Sequence, residues 1–145
     1  VLVQPTKQEL DAARSKAPYQ ILCKDNTAHV VTDKLTGITA YAAFDTYQPQ
    51  GDKLFSLIPA ETMVMQKASD KGVVMSVCDP NLNISEKTFT TKEPSRPIVK
   101  KIVMKGKWNM AQPNDKVKVQ TTATETTLTV TCQHGQPVEF RMIKG

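Results

Sequence analysis

Residues able to do acid–base or metal chemistry are few and widely separated in this sequence. It contains two histidines: His29 lies in a run that alternates like a β-strand, and His134 lies in the turn-forming segment HGQP. Neither has a second His or Cys at metal-ligand spacing, and the sequence contains no phosphate-binding glycine loop and no nucleophile-elbow serine motif. Two unsupported histidines also argue against a catalytic triad. We therefore expect structural or surface roles for both and assign no catalytic residue.

The three cysteines are also isolated from one another. Cys23, Cys78 and Cys132 each lie in a predicted strand and form no C-x-x-C pair, so we expect free thiols packed as small apolar side chains. The DPNLN turn that begins at Asp79 carries oxygen atoms that could hold calcium. Such a cluster more often bonds its own backbone as an Asx turn, which we favour. We predict no metal site and no cofactor in this segment.

One basic stretch is the candidate binding site. It comprises Lys100, Lys101, Lys105, Lys107 and Trp108. One interpretation is a patch that contacts a sulfated or carboxylated sugar chain, with the indole as a stacking surface. The other, which we favour, is a solvated strand face with the tryptophan anchored in the core. A net charge of +5 favours anionic partners in general, but 6% aromatic residues and no helix-turn-helix pattern argue against nucleic acid.

The first 18 residues read as a linker that carries a short helix. Thr6 and Glu9 form the S/T-x-x-E capping box, and Pro18 predicts that the helix ends by about Lys16. The segment VLV at residues 1–3 resembles the end of a strand from an upstream domain. We therefore divide the chain at residue 18.

The stretch from Tyr19 to Phe44 predicts a three-stranded meander with turns at 24–27 and 34–37. Alternation in its third strand places Ile38, Ala40, Ala42 and Phe44 on one face. Later strands are predicted at 54–58, 62–67, 72–78, 87–91, 98–105, 107–109, 116–122, 126–132 and 138–142.

The segment 72–78 is largely apolar on both faces and predicts a central strand covered on both sides, or close to it. Short strands at this spacing, with turn residues between them, predict an all-β fold, a two-sheet antiparallel β-sandwich over residues 19–145 preceded by a short N-terminal helix. The 145 residues suit one domain. No apolar run approaches the ~20 residues of a membrane span.

Three segments in this order resemble one known family. They are YQILCKDNTAHVVTDKLTGITAYAAF at 19–44, GVVMSVCDPNLNI at 72–84 and IVMKGKW at 102–108. Together they resemble the C-terminal domain of the chondroitin sulfate ABC lyases, which belong to polysaccharide lyase family 8. The resemblance extends from Tyr19 to Ile143, and the order and spacing of the segments carry it.

The resemblance implies a large bacterial enzyme, periplasmic or secreted, with a helical toroid, a central β-sandwich and a smaller C-terminal β-sandwich. Such enzymes cleave glycosaminoglycans by β-elimination, with a tyrosine, a histidine and an arginine acting on the proton next to the uronate carboxylate. Those residues belong to the upstream domains, and none maps onto a position here. The resemblance thus implies a non-catalytic domain that docks on the other domains of its own polypeptide, whose substrate is a glycosaminoglycan.

Two rival functions remain open at this point. A glycan-binding module would hold anionic polysaccharide near the catalytic cleft and would show exposed aromatic side chains beside Lys100–Lys107. An independent adhesin or surface domain would need only the generic sandwich.

Overall fold

The computed structural model describes residues 6–82 and 95–145, which form one helix and eleven strands. The elements are α1 (Lys7–Ser15), β1 (Tyr19–Lys24), β2 (Ala28–Asp33), β3 (Ile38–Ala43), β4 (Phe55–Leu57), β5 (Thr62–Ser69), β6 (Gly72–Cys78), β7 (Ile98–Lys105), β8 (Trp108–Met110), β9 (Val117–Thr121), β10 (Glu125–Cys132) and β11 (Val138–Lys144). The predicted strand at 87–91 and the strand end at 1–3 lie outside the described residues.

The strands form two antiparallel sheets. A seven-stranded sheet has the order β1-β2-β3-β5-β6-β11-β8, and a four-stranded sheet has the order β4-β7-β10-β9. Every pairing between neighbouring strands is antiparallel. The predicted all-β antiparallel sandwich is therefore confirmed. Within the described ranges, no helix is long and apolar enough to cross a membrane.

The helix α1 begins with the predicted capping box. The Thr6 backbone N–H donates to Glu9 Oε2 at 2.8 Å, and the Glu9 backbone N–H donates to Thr6 Oγ1 at 3.3 Å. These reciprocal bonds satisfy two donors that a helix start leaves unpaired. Lys16 is the C-cap, as the position of Pro18 predicts. The helix buries none of its side chains, and the domain division at residue 18 stays a prediction.

The core lies between the sheets and is built by period-two alternation. Tyr41 of β3 and Phe55 of β4 meet across the sandwich, edge to face, with ring centroids 5.2 Å apart. The Tyr41 hydroxyl donates to Asp52 Oδ2 at 2.7 Å. The second oxygen of Asp52 accepts the backbone N–H groups of Leu54 and Phe55 at 2.7 and 2.9 Å. One aspartate therefore links the seven-stranded sheet to the start of β4.

The predicted shared face of β3 proves to be the outer one. Thr39, Tyr41 and Ala43 are buried, whereas Ala40 and Ala42 lie on the opposite face. The reason is the inter-sheet contact, because the large Tyr41 side chain reaches Asp52 and Phe55 only from the inner side.

The prediction for β6 was wrong in one respect. This strand is central in its sheet, but it is covered on one side only. Val73, Met75 and Val77 are buried, while Val74 on the other face is 53% exposed. An apolar run in the sequence is the same for a strand buried on both faces and for a strand whose second apolar face is exposed.

Gly72, at the start of β6, permits a close backbone approach between β6 and β11. Its φ is +142°, and a Cβ at this position would overlap the carbonyl oxygen of Met142. That oxygen belongs to the backbone and cannot rotate away, so only glycine fits.

We predict that Gly72→Ala lowers the free energy of unfolding by about 3 kcal/mol, through overlap added to a disfavoured dihedral. Gly51→Ala is the matched control, because Gly51 also has a positive φ, +75°, but has open space around it. The control should cost only about 1–2 kcal/mol. Urea denaturation of both variants measures the difference, and equal losses would contradict the role given to the overlap.

Candidate functional site

The predicted basic stretch contains a buried ion pair instead of a continuous surface patch. Lys100 of β7 lies with its Nζ 2.9 Å from Asp79 Oδ2, and the two side chains are 7% and 2% exposed. Among the described residues Asp79 Oδ2 has no hydrogen-bond partner, so its contact with Lys100 is chiefly a charge pair. Lys100 Nζ also donates to the carbonyl oxygen of Ala60 at 3.1 Å. Asp79 follows β6, so the pair joins the two sheets.

The same aspartate explains the turn after β6. Asp79 Oδ1 accepts the backbone N–H of Asn81 at 2.8 Å, which is the Asx turn predicted for this segment. The ammonium of Lys100 stands beside its other oxygen, where a cation would have to bind. Among the described residues, no group of three or more acidic, His or Cys side chains could hold a metal ion.

Trp108 is also an interior residue. It is 8% exposed; its Nε1 donates to the carbonyl oxygen of Lys105 at 2.8 Å, and its backbone N–H donates to Thr126 Oγ1 at 2.9 Å. The inclusion of Lys100 and Trp108 in a surface patch is thereby corrected. Strand alternation turns Lys100 inward, which neither interpretation of this stretch predicted. The indole closes the end of the core, as the favoured interpretation requires.

The remaining three lysines of the stretch are exposed. Lys101 and Lys105 alternate with inward-facing side chains on β7, and Lys107 lies in the following turn. Lys105 Nζ donates to the carbonyl oxygen of Asp52 at 2.6 Å. A contact between these lysines and a glycan stays a prediction.

We predict that Lys100→Met lowers the free energy of unfolding by about 3–5 kcal/mol, because it leaves the buried Asp79 carboxylate without its counter-charge. Lys101→Met makes the same chemical change one residue along on the exposed face and should alter stability little. The double variant Lys100→Met/Asp79→Leu should recover much of the loss. Thermal denaturation compares all three, and a loss in Lys101→Met equal to that in Lys100→Met would refute the assignment.

The two histidines lie in different places. His29 is on the outer face of β2, edge-on to the ring of Phe44, with centroids 5.0 Å apart. His134 lies in the β10–β11 turn at φ +59°. Its Nδ1 is 2.9 Å from Ser95 Oγ, and its backbone N–H donates to the same oxygen at 3.1 Å. No described hydrogen bond or ring contact joins either histidine to a tyrosine or an arginine.

The Ser95–His134 pair resembles a nucleophile and its base only in the identity of its atoms. Ser95 is 1% exposed, so its oxygen cannot meet a polymeric substrate. In the described part of the chain, His134 makes no hydrogen bond to a carboxylate that would orient the ring, unlike the histidine of a triad. The pair thus anchors the turn.

The tyrosines on β3 and in the loop after it hold their protons. Burial raises the pKa of Tyr41, and the hydrogen bond to Asp52 raises it further. Burial, followed by the nearby thiol of Cys23, raises the pKa of Tyr47 to about 12. A tyrosine that removes a proton from substrate needs the opposite shift. Neither is suited to act as a general base.

All three cysteines are free thiols, as predicted. Burial raises the pKa of Cys23, Cys78 and Cys132 above the ordinary value for a thiol. The thiolate is the reactive form, so these side chains are poor nucleophiles and poor metal ligands.

An apolar surface occupies part of the outer face of the seven-stranded sheet, where Lys67 lies between Ile38 and Val74 and Arg141 lies beside Val74. Strand register places two side-by-side rows across it: Val31 beside Ala40 and then Met65, and His29 beside Ala42 and then Met63. The apolar surface comprises Ile21, Val31, Ile38, Ala40, Ala42, Phe44, Met63, Met65 and Val74. A contiguous group of exposed large apolar side chains is typical of a protein contact surface.

Alanines form the floor of this surface, between methionines on one side and larger side chains on the other. A shallow depression of about 540 Å³ is lined by Ala42, Phe44 and Met63, among others. A second, of about 240 Å³, lies beside Ile38, Met65 and Val74. Methionine adapts its shape to a contacting surface, and alanine permits close approach. Shallow depressions lined by such side chains suit contact with another protein surface better than contact with a polar sugar.

Sequence reasoning missed a second surface, on the outer face of the four-stranded sheet. Lys101 of β7 lies beside Thr129 of β10, which in turn lies beside Lys118 of β9. Lys118 is far from Lys101 in sequence, so no local run of charges indicates their proximity. Its alternation with Val117 and Val119 does indicate an outward-facing lysine.

Comparison with known proteins identifies what this chain is similar to. No protein-family model matches it. A chondroitin sulfate ABC endolyase of Proteus vulgaris is 32% identical over 126 residues, which are 86% of this chain and 12% of the endolyase. This chain is homologous to part of the chondroitin sulfate ABC lyases. A chondroitin sulfate ABC exolyase of Proteus vulgaris is 32% identical over 77 residues, 52% of this chain and 8% of the exolyase.

Solved structures share the fold of this lyase-related chain. A xanthan lyase of Paenibacillus superposes with a TM-score of 0.68 at 12% identity, over 99% of this chain and 13% of its own. A chondroitin AC lyase of Streptomyces coelicolor in complex with chondroitin sulphate superposes with a TM-score of 0.64 at 14% identity, over 97% of this chain and 17% of its own. This chain spans less than a fifth of the length of every relative named above. The sequence identity to the chondroitin sulfate ABC endolyase confirms the family resemblance.

Proposed function

We propose that this chain is the non-catalytic C-terminal β-sandwich of a polysaccharide lyase that degrades chondroitin sulfate by β-elimination. The observation that carries the proposal is the match of 86% of the chain to only 12% of a chondroitin sulfate ABC endolyase. The role we assign to the domain is structural: it packs on upstream domains of the same polypeptide and stabilises them. By the same resemblance, we place the parent enzyme in the periplasm or outside the cell.

The chemistry of the described residues supports a non-catalytic role. β-Elimination needs a base at the proton next to the uronate carboxylate and a group that neutralises that carboxylate. Tyr41 and Tyr47 have raised pKa values, and Ser95 holds His134 in a turn. The base, the acid and the carboxylate-binding group are therefore assigned to the parts of the parent outside this chain.

The apolar surface is the docking site that we assign to this role. Burying apolar area is worth about 25 cal/mol per Å², so Met63, Met65 and Val74 together can contribute several kcal/mol to a domain contact. The occupant we propose is the central β-sandwich of the parent, because the family resemblance places that domain before this one in the same polypeptide.

We predict that the 145-residue chain alone has no lyase activity, whereas the complete polypeptide that contains it cleaves chondroitin sulfate. The measurement is the absorbance of the unsaturated uronate product, with boiled protein as the blank. Enzyme-dependent product formation by the purified chain would overturn the non-catalytic assignment. A complete polypeptide that cleaves no polysaccharide would overturn the assignment to a lyase.

We further predict that Val74→Asp lowers the melting temperature of the complete polypeptide by several degrees, since it places a charge in the domain contact. In the isolated chain the same change should cost no more than about 1 kcal/mol, because the site faces solvent. Val99→Asp is the matched control: Val74 and Val99 are 53% and 54% exposed and lie on opposite faces of the sandwich. Equal effects of the two substitutions in the complete polypeptide would contradict docking through the apolar surface.

A further inference from the structure

The outer face of the four-stranded sheet carries lysines and threonines in register. One row across the sheet reads Lys101, Thr129, Lys118. In the next row, Thr131 lies beside Val99 on one side. On the other side, the Thr131 backbone N–H donates to the carbonyl oxygen of Lys116 at 2.8 Å. We call this the cationic surface. It comprises Val99, Lys101, Val103, Lys116, Lys118, Gln120, Thr127, Thr129 and Thr131.

The charges of this surface are not neutralised within the part of the chain that the structure describes. In residues 6–82 and 95–145, no carboxylate lies within ion-pair distance of the ammonium groups of Lys101, Lys116 or Lys118. The acidic side chains nearest in register or sequence are Glu125, which lies opposite Lys105 at the end of β10, and Asp115, which precedes Lys116. The centre of the face is therefore positive.

The hydroxyl groups of the surface are also available. Thr127, Thr129 and Thr131 alternate with buried residues along β10, so their side chains form a line with a spacing of roughly 6.8 Å. None of the three hydroxyls makes a hydrogen bond to another described residue. Lys101 and Lys118 stand on either side of this line, two strand spacings or roughly 10 Å apart. The result is a flat row of neutral donors between cationic donors.

This arrangement fits an extended polymer with repeated anionic groups. Ammonium groups pair with sulfate or carboxylate oxygens, and threonine hydroxyls can donate to or accept from sugar hydroxyls. Single-stranded nucleic acid binds instead through aromatic stacking, and no outward-facing residue of β7, β9 or β10 is aromatic. The surface chemistry therefore favours a polysaccharide over a nucleic acid.

We infer that the cationic surface is a binding site for a sulfated, uronate-containing polysaccharide. The choice of that polymer class rests on the proposed lyase function, whereas the site itself rests on the strand register. The cationic surface and the apolar surface lie on opposite faces of the sandwich. The domain can thus dock on its parent with one face and hold polymer with the other.

The test is isothermal titration calorimetry of the 145-residue chain with a chondroitin sulfate oligosaccharide, at about 20 and about 150 mM salt. The triple variant Lys101→Gln/Lys116→Gln/Lys118→Gln should bind at least about tenfold more weakly at low salt, and its affinity should depend less steeply on salt concentration. Thr129→Val should weaken binding without changing the salt dependence. The control variant Lys24→Gln/Lys71→Gln/Lys144→Gln removes the same charge from the rest of the molecule and should bind like the original chain.

Each other outcome overturns the inference. No binding by the original chain at 20 mM salt removes the site, and an equal loss in the control variant reduces it to a net-charge effect. Tighter binding of a poly-dT oligonucleotide than of chondroitin sulfate would assign the surface to nucleic acid. Binding of uncharged dextran with equal affinity would remove the electrostatic basis. The activity of the complete polypeptide tests the proposed function separately, so a failure of binding and a failure of the lyase assignment are distinguishable.

Discussion

A mismatch in width between the two sheets governs this structure. Seven strands span roughly 29 Å and four strands roughly 14 Å, so the smaller sheet cannot cover even one face of the larger. β1 shows the consequence at one edge, where Tyr19, Ile21 and Leu22 are all about half exposed. The outer face of the larger sheet has no layer over it in the described residues. The apolar surface on this face is therefore the feature that most needs an explanation, and the proposed domain contact supplies one.

Polar links at separate points fix how the two sheets lie against each other. Tyr41 of β3 donates to Asp52, which lies before β4. Lys100 of β7 pairs with Asp79, which follows β6. Trp108 of β8 donates to the carbonyl oxygen of Lys105, the last residue of β7. Apolar burial has no direction and tolerates sliding, whereas a buried charge or hydroxyl is satisfied only in one position. These links contribute to a unique packing even where their net effect on stability is small.

The outer faces of the sandwich differ in character. Met63, Met65 and Val74 face one way, and Lys101 with Lys118 faces the other. A protein contact excludes water and favours the first kind of surface, whereas a polyanion competes with counterions and favours the second. A domain with this division can be held in place and still present a charged face to solvent. The two proposals assign a separate role to each face.

The sequence alone determined the class of fold and the local elements. The capping box at Thr6, the strands and the Asx turn at Asp79 depend on neighbouring residues, so local patterns are sufficient to predict them. The family resemblance came from the order of whole segments. It could not show that β3 turns Ala40 outward, because period-two alternation is the same whichever face is inner.

The tertiary structure alone decided which lysines share a surface. In the linear sequence Lys100 and Lys101 are equivalent neighbours, yet one pairs with a buried carboxylate and the other faces solvent beside a lysine from β9. Strand pairing joins residues that are distant in sequence, and the inner face of a strand is chosen by what the opposite sheet offers. A charge run therefore locates candidate residues, but only the packed sheets separate those that hold the fold from those that can reach a ligand.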